Sequence, residues 1–312
     1  MLLLLFTVSV AAQPGWRSSR SGTSADLVAV YFTSTDRGWI AGDNGYLAST
    51  VDGGRSWSTV PLGTSEDINE IYFRNEANGY VVAGRKLFVT SDGGQSWRQT
   101  VIFRSGDFPT GVPEFLSIRF ADKKRGLVVG SVIGKNDVVV DSLVMRTNDG
   151  GETWQRVIVP VKTELFHLDF DGNSNAWIVG ASGTILASQD GGVSWHSQRS
   201  GVTRALFNVD FRDDSYGFAV GGGGTVLRTE DSGATWEKVP VRTSETFKRV
   251  GFSDDKNGWI VGHGGSILRS SDRGRTWVMQ ESGTQARLYG LFVSKKYGWA
   301  VGEKGLILQY ER

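Results

Sequence analysis

The stretch Ser270-Ser271-Asp272-Arg273-Gly274-Arg275-Thr276-Trp277 represents a pattern that occurs six times along this 312-residue chain. Every copy has Ser or Thr two residues before the Asp, Gly two residues after it, Ser or Thr at plus four and Trp at plus five. We call this pattern the Asp turn. Its aspartates are Asp52, Asp92, Asp149, Asp190, Asp231 and Asp272, and its tryptophans are Trp57, Trp97, Trp154, Trp195, Trp236 and Trp277.

The residue types of the Asp turn predict a tight connection between strands rather than a catalytic site. An Asp carboxylate accepts backbone N–H bonds within a turn, and Gly supplies the positive φ that such a turn needs. The small hydroxyl residues can bond to the same backbone. The Trp should begin the next strand with a large apolar ring, and we expect its indole N–H to find a hydrogen-bond partner.

The spacing of the tryptophans predicts the fold class. Trp57 follows Trp16 by 41 residues, and the later intervals are 40, 57, 41, 41 and 41 residues. A period near 41 is typical of propeller blades, and a blade usually contains four strands. The sequence therefore predicts an all-β, seven-bladed β-propeller with four antiparallel strands in each blade.

Two other sets of residues recur seven times, whereas the Asp turn recurs six times. Gly closes the second strand of each repeat, and an apolar residue ends each inner strand, at Phe32, Phe73, Phe120, Phe170, Phe211, Phe252 and Val293. The chain ends where a seventh Asp turn would begin, and Trp16 has no strands ahead of it. We therefore expect Trp16 to Ser18 to form the outer strand of blade seven beside the C-terminal strand, which would remove two free sheet edges.

Composition and the first residues limit the partners and the cellular compartment. A net charge of +1 argues against nucleic acid or an anionic membrane as a general partner, and the absence of cysteine excludes disulfides and thiolate metal sites. Residues 1–12 read as a signal peptide, with a buried first strand or a misplaced start as alternatives. We expect export to the periplasm, a thylakoid-lumen-like compartment or the extracellular space, no transmembrane anchor, and one propeller domain over residues 13–312.

Blade three is longer than the others by 16 residues (57 minus 41). About seven of the added residues fall in Phe103 to Glu114, before the inner strand, and about nine fall in the hairpin Ser131 to Ser142. Both connections should emerge on one face of the ring. Insertions on a regular scaffold often carry function, and neutral drift of a surface loop is the alternative.

The Asp turn, the inner strands of the type Leu-x-x-Val-x-Phe and the second strands of the type Gly-Trp-x-Val-Gly together resemble a known family. The stretch from Ser253 to Gly262, followed by Asp272 to Trp277, is a good instance. The pattern resembles the photosystem II stability and assembly factor propellers over nearly the whole chain. This resemblance implies a seven-bladed propeller that acts without catalysis, binds a polypeptide through a basic surface patch and assists assembly of a membrane-bound complex.

Glycan-cleaving and glycan-binding propellers also carry Asp turns, so they form the alternative. Glycosidases need two carboxylates that face each other across a cleft, one of them with a raised pKa. The candidates on inner strands are Glu70, Asp169 and Asp210, with His167 nearby in sequence. The competing interpretation places these side chains along a water-filled axial channel.

No motif in the sequence predicts a metal ion or a cofactor. The stretch from Asp171 to Asn175 resembles the start of a calcium loop, but Ala176 and Ser182 stand where that loop needs Gly and Glu. The stretch from Gly130 to Lys135 is too short for a phosphate loop. The three histidines fall in three different repeats.

The charges on the loops of the expected common face predict a binding surface, with ordinary solubilising charge as the alternative. Acidic residues prevail in blades one and two, and basic residues prevail in the later blades. Arg suits carboxylate recognition because its planar fork bonds two oxygens at once. We expect a protein or peptide partner, including a segment of a membrane protein, and a monomeric protein. The predicted partner-binding residues are Arg204, Arg242, Arg249 and Arg287, with Phe108 as an apolar anchor on the inserted loop.

Overall fold

The computed structural model describes residues 15–104, 106–172 and 174–311. Within these ranges, 28 strands form seven antiparallel sheets of four strands. The inner strands of successive sheets contact each other, and the inner strand of the last sheet contacts that of the first, so the sheets form a closed ring. The predicted seven-bladed propeller is confirmed. The predicted signal peptide, residues 1–12, lies outside the described residues.

Blade 1 contains β2 (Leu27–Phe32), β3 (Gly38–Gly42), β4 (Leu47–Thr50) and β5 (Ser58–Thr59), and blade 2 contains β6 (Ile68–Phe73), β7 (Gly79–Ala83), β8 (Lys86–Thr90) and β9 (Arg98–Thr100). Blade 3 contains β10 (Val112–Phe120), β11 (Gly126–Ile133), β12 (Val139–Thr147) and β13 (Gln155–Arg156), and blade 4 contains β14 (Leu165–Asp171), β15 (Asn175–Gly180), β16 (Ile185–Ser188) and β17 (His196–Gln198). Blade 5 contains β18 (Leu206–Phe211), β19 (Gly217–Gly221), β20 (Thr225–Thr229) and β21 (Glu237–Lys238), and blade 6 contains β22 (Phe247–Phe252), β23 (Gly258–Gly262), β24 (Ile267–Ser270) and β25 (Val278–Gln280). Blade 7 contains β26 (Leu288–Val293), β27 (Tyr297–Gly302), β28 (Leu306–Glu311) and, as its outer strand, β1 (Gly15–Arg20). Single 3₁₀ turns occupy Asp43–Gly45, Lys135–Asp137, Ala181–Gly183 and Glu303–Gly305.

Aromatic rings join neighbouring blades. The ring of Phe32 on the inner strand of blade 1 stacks on Trp299 of blade 7, with centroids 3.7 Å apart, and Trp57 meets Phe32 edge-on at 6.1 Å. Phe73 stacks on Trp39 in the same way at the next junction. Gly38 is required here because a Cβ at that position would lie 2.5 Å from the Phe32 ring. The second strands are buried on both faces, which explains their continuous apolar sequence.

Strand β1 closes the ring as predicted. It pairs antiparallel with β28 over six residues, with Trp16 opposite Tyr310, so it extends further than the predicted Trp16 to Ser18. The Trp16 ring meets Trp259 of blade 6 edge-on, with centroids 5.5 Å apart. The Ser21 hydroxyl donates to the carbonyl of Gly305 at 2.6 Å. The outer strand of blade 7 therefore comes from the beginning of the chain.

The Asp turns have the predicted hydrogen bonds. In the turn of blade 5, the Asp231 carboxylate accepts from the Thr229 hydroxyl at 2.8 Å and from the amide and hydroxyl of Thr235 at 2.8 and 2.6 Å. The expected hydrogen bond of the indole N–H group forms at three of the six Asp turns. Trp154, Trp195 and Trp236 donate to a partner, whereas the buried Nε1 atoms of Trp57, Trp97 and Trp277 have none among the described residues.

The insertion in blade 3 lengthens its sheet, while residues 106–111, before β10, lie outside the strands and pack against the blade. Strands β10, β11 and β12 have nine, eight and nine residues, whereas the corresponding strands of blade 1 have six, five and four. Phe108 is 8% exposed and packs in a cluster with Phe103, Phe115 and other core residues. The guanidinium of Arg156 covers the Phe108 ring at 4.9 Å and binds Asp141 at 2.7 Å.

Candidate functional site

One face of the ring is formed by two sets of connections, as the sequence predicts. The turns between second and third strands bond to the segments that lead into the inner strands. The amide of Asp43 donates to the carbonyl of Asp26 at 3.0 Å, and that of Gly222 donates to the carbonyl of Ala205 at 2.9 Å. The amide of Glu303 donates to Arg287 in the same way. We call this surface the loop face.

The loop face presents three of the predicted arginines on consecutive blades. Arg204, Arg242 and Arg287 precede the inner strands of blades 5, 6 and 7, and all three are exposed. Arg204 and Arg242 have no ion pair among the described residues. The Arg287 guanidinium lies 3.5 Å from Glu303 Oε1, and its backbone amide donates to Glu303 Oε2 at 2.9 Å. Arg204 and Arg242 therefore supply positive charge on one arc of this face, where Glu303 offsets Arg287 and exposed Glu245 follows Arg242 in the same loop.

Two predicted partner-binding residues do not lie on the loop face. Arg249 belongs to β22 and lines a cavity on the propeller axis. Phe108 is buried under Arg156, so its ring is a core residue of blade 3 and is not presented as an anchor. Phe108 lies before β10, in a segment that packs against blade 3, so its ring contacts Phe103 and the core of that blade instead of solvent.

Two acidic residues of the loop face have structural partners. Asp26 Oδ1 accepts from the amide of Lys304 at 2.9 Å, and Asp67 Oδ1 accepts from the amide of Asn44 at 2.8 Å. Lys304 and Asn44 both have positive φ in their turns, at 54° and 57°. These carboxylates hold the turns of blades 7 and 1, so these two acidic residues of the loop face have a structural role.

The axial cavity has a volume of about 220 Å³ and is lined by the inner strands. Its centre is a network of three side chains from blades 2, 3 and 4. Arg119 binds Glu70 Oε1 at 2.8 Å and His167 Nε2 at 2.9 Å, while Glu70 Oε2 accepts from the amide of Ile118 at 2.9 Å. The Arg119 guanidinium also lies 5.0 Å from the Tyr72 ring centroid.

The electrostatics of this network fix its protonation states. Burial alone would raise the pKa of Glu70, but the charge of Arg119 and the polar contact with His167 lower it below its usual range. Burial and the nearby Arg119 charge lower the pKa of His167 to about 4, so its imidazole is neutral at pH 7. Since Nε2 accepts from Arg119, the ring hydrogen belongs on Nδ1.

A pair of carboxyl groups lies on the wall of the same cavity. Asp169 and Asp210 occupy equivalent positions on the inner strands of blades 4 and 5. Burial raises the pKa of Asp169 to about 6, and the amide of Phe211 donates to its Oδ2 at 2.8 Å. Burial and the Asp169 charge raise the pKa of Asp210 well above its usual range.

Sequence reasoning missed Arg119. A signal for it exists, because Arg119 precedes Phe120 as Asp169 precedes Phe170 and Asp210 precedes Phe211. Alignment of the seven inner strands places all three residues at one level of the axis. Their equivalence shows that polar residues just before the final aromatic face the cavity.

The glycosidase alternative meets a chemical difficulty at Glu70. A general acid needs a raised pKa, whereas the pKa of Glu70 is lowered and both of its oxygens already accept hydrogen bonds. Asp169 and Asp210 line the axial cavity, which matches the competing interpretation of these residues. Residues 15–104, 106–172 and 174–311 contain no group of three metal-ligating side chains. Across the same ranges, no helix has the length and apolar character needed to cross a membrane.

The chain matches the family model of the photosynthesis system II assembly factor YCF48 over residues 8–101, 55–159, 99–197, 152–244, 196–277 and 239–311. Over 180 residues it is 27% identical to the photosystem II assembly lipoprotein Ycf48 of Synechococcus sp. (strain CC9902), a match that covers 56% of this chain and 49% of that protein. The matched region thus spans about half of that relative.

Two solved structures share the fold. One is YCF48 bound to D1 peptide, with 23% identity, a TM-score of 0.76 and coverage of 99% of this chain and 100% of that chain. The other is YCF48 from Cyanidioschyzon merolae, with 20% identity, a TM-score of 0.74 and coverage of 95% and 98%. Since the family model matches nearly the whole chain, the protein belongs to the photosynthesis system II assembly factor YCF48 family.

Proposed function

We propose that this protein is a non-enzymatic assembly factor whose loop face binds a protein or peptide client. The observation that carries the proposal is the arc formed by Arg204, Arg242 and Arg287 on consecutive blades. Membership of the YCF48 family supports it, as does a solved relative that is YCF48 bound to D1 peptide. The client would be a segment of a membrane-associated complex that carries acidic residues.

The physical basis is a rigid surface with unpaired positive charge. Arg204 and Arg242 have no ion pair among the described residues, so a client carboxylate would not have to displace an internal partner. The backbone bonds between turns and loops hold the face in one arrangement, which lowers the ordering cost of binding. Complementary charge would also increase the association rate and disfavour basic partners.

Export and the domain boundaries are part of the same proposal. The relative from Synechococcus is named a lipoprotein, which supports a location outside the cytoplasm. The apolar run in residues 1–12 supports a signal peptide followed by one propeller domain over residues 13–312. We infer a periplasmic, thylakoid-lumen-like or extracellular protein that works as a monomer.

The test is capture of a client from the membrane fraction of the source organism by the immobilised full chain. The variant Arg204→Glu/Arg242→Glu/Arg287→Glu should retain about a tenth of the captured client or less, because charge reversal repels an acidic segment. The client is identified by mass spectrometry, and a synthetic peptide of its acidic segment should reproduce the effect.

The matched control carries the same change of charge away from the loop face, in Arg55→Glu/Arg98→Glu/Arg275→Glu. These three arginines are exposed. The control should capture the client at the wild-type level. Equal capture by both triple variants would refute the loop face as the binding surface.

A further inference from the structure

The axial cavity contains a guanidinium group that has no hydrogen-bond partner among the described residues. Arg249 lines the cavity from β22 and has no hydrogen bond or ion pair with any described residue. The charge of Glu70 acts on Arg249 through space, but both Glu70 oxygens bind other groups, because Arg119 holds Oε1 at 2.8 Å and the amide of Ile118 donates to Oε2 at 2.9 Å. Glu70 thus offers Arg249 a nearby negative charge but no hydrogen bond.

An unpaired cation of this kind is unfavourable unless something binds it. Arg249 is half-buried; burial lowers the pKa of its guanidinium, the charge of Glu70 opposes this shift, and the charge of Arg119 adds to it. Partial removal of a charged group from water is unfavourable when no ion or hydrogen-bond partner replaces the lost hydration. Lys248, the preceding residue, lies outside the cavity wall, with Nζ 3.7 Å from the Phe207 ring centroid; its positive charge acts on Arg249 and is partly balanced by Glu164. The local field therefore favours an anion.

The rest of the wall offers both hydrogen-bond donors and an apolar side. Asn208 Oδ1 accepts from the amide of Val250 at 2.9 Å, while its Nδ2 has no partner among the described residues. His167 is 3% exposed and its Nδ1 also has no partner within the described ranges. The cavity is also lined by Val28, Leu291 and Val293.

The cavity limits the ligand to a small molecule or the end of a chain. Its volume of about 220 Å³ equals the space of about seven water molecules. Asp169 and Asp210 also line it, and their raised pKa values mean that the pair holds protons more strongly than free carboxyl groups do. The proton that the pair retains lets Asp210 donate to an anion instead of repelling it, whereas Asp169 ionises above about pH 6.

We propose that the axial cavity binds an organic carboxylate with a short apolar group, whose two oxygens pair with the Arg249 guanidinium while Val28, Leu291 and Val293 contact its hydrocarbon part. The planar fork of Arg suits a carboxylate. Such a group has two sources, a free small acid or the C-terminal residue of a polypeptide. The site is separate from the arginine arc, and its existence does not depend on the proposed client.

The test is a titration of the ¹⁵N-labelled full chain with butyrate, in which NMR follows the signals of the arginine Nε–Hε groups. Butyrate should shift the Arg249 signal with saturation, and the uncharged butyramide should not. In Arg249→Met the affinity for butyrate, measured by calorimetry, should fall at least about tenfold. Arg275→Met is the matched control, because Arg275 is exposed on an Asp turn, and it should bind butyrate like the wild type.

Stability separates a binding role of Arg249 from a structural one. Since Arg249 bonds to no described residue, Arg249→Met should unfold at or above the wild-type temperature when no ligand is present. Arg249→Lys provides a second variant that keeps the charge and loses the planar fork, and it should also weaken binding of butyrate. Absence of a saturable shift at Arg249, or equal binding of butyrate and butyramide, would overturn the proposal.

A second pair of probes identifies the source of the carboxylate. One is an acetylated peptide Gly-Gly-Gly-Val with a free C-terminus, and the other is the same peptide with a C-terminal amide. Binding of only the free-acid peptide at Arg249, more tightly than butyrate, would assign the cavity to a chain terminus. Binding of butyrate alone would assign it to a free small acid. Either result supports the carboxylate site.

Discussion

Arg119 joins Glu70 and His167 because the inner strands of blades 2, 3 and 4 face one axis. Each of these side chains would be costly to bury alone, and the ion pair of Arg119 with Glu70 and its contact with His167 Nε2 reduce that cost. Burial and the charge of Arg119 lower the pKa of His167 and keep its imidazole neutral, while the charge of Arg119 lowers the pKa of Glu70 against the effect of burial. At the residue scale, a side chain on a neighbouring blade thus fixes the chemistry of the axis.

Asp169 should reduce stability at neutral pH. Its folded-state pKa of about 6 exceeds the ordinary value of 3.8, so the folded state retains a proton that the unfolded state releases as pH rises. Ionisation therefore costs stability between about pH 4 and pH 6. Asp169→Asn keeps an oxygen to accept from Phe211, and above pH 6 it should unfold with a free energy higher by roughly 1–3 kcal/mol.

Urea unfolding of Asp169→Asn and the wild type at pH 4 and pH 8 provides the measurement. The difference in unfolding free energy between the variant and the wild type should be small at pH 4, where both side chains are uncharged, and large at pH 8. Asp214→Asn is the control, because Asp214 is exposed on blade 5. This variant should change the unfolding free energy by no more than about 0.5 kcal/mol at either pH. A pH-independent difference at position 169 would contradict the raised pKa.

At the scale of elements, the Asp turn links the third strand to the outer strand of a blade. Asp231 accepts three hydrogen bonds from Thr229 and Thr235. Asp231→Ala removes all three acceptor contacts from an exposed turn. We expect the free energy of unfolding to fall by about 1–2 kcal/mol, measured in urea.

Asp214→Ala is the matched control for Asp231→Ala, because both residues are exposed acids on blade 5. It should lower stability by less than about 0.5 kcal/mol. If the two variants are equally stable, the Asp turn is not the clamp that its hydrogen bonds indicate.

The elements differ in how well the sequence predicts them. Strands and Asp turns repeat about every 41 residues, so a strand or turn that is ambiguous in one repeat can be assigned from the other repeats. The blade 3 insertion has no second copy, and its residues were expected to form loops. Its strands extend the ladder as far as Val112 opposite Ile133, and the segment before β10 packs Phe108 into the core of blade 3. Periodicity could not reveal this, because strand pairing and packing against the sheet decide it.

At the scale of the whole molecule, β1 joins the two ends of the chain. A protein that begins at Ser21 lacks the strand that pairs with β28 and leaves that edge unpaired. We expect its unfolding free energy to fall by about 3 kcal/mol or more, with aggregation through the free edge. Calorimetry and size-exclusion chromatography measure the two effects.

A protein that begins at Gln13 retains β1 and serves as the control. It should unfold at the same temperature as the full chain and elute as one species. If the protein that begins at Ser21 is equally stable, closure by β1 contributes little to the ring.

The sequence by itself determined the architecture of this protein: seven repeats, the Asp turns, closure by Trp16 and a common face for two sets of loops. These features depend on local turn chemistry and on a period, which a linear chain displays directly. Only the tertiary structure decided that Arg249 faces the axis while Arg204, Arg242 and Arg287 face solvent, and that Phe108 is buried. The reason is that the ring brings together side chains from distant blades, such as Glu70, Arg119 and His167, and their contacts, burial and charge exist only after it has closed.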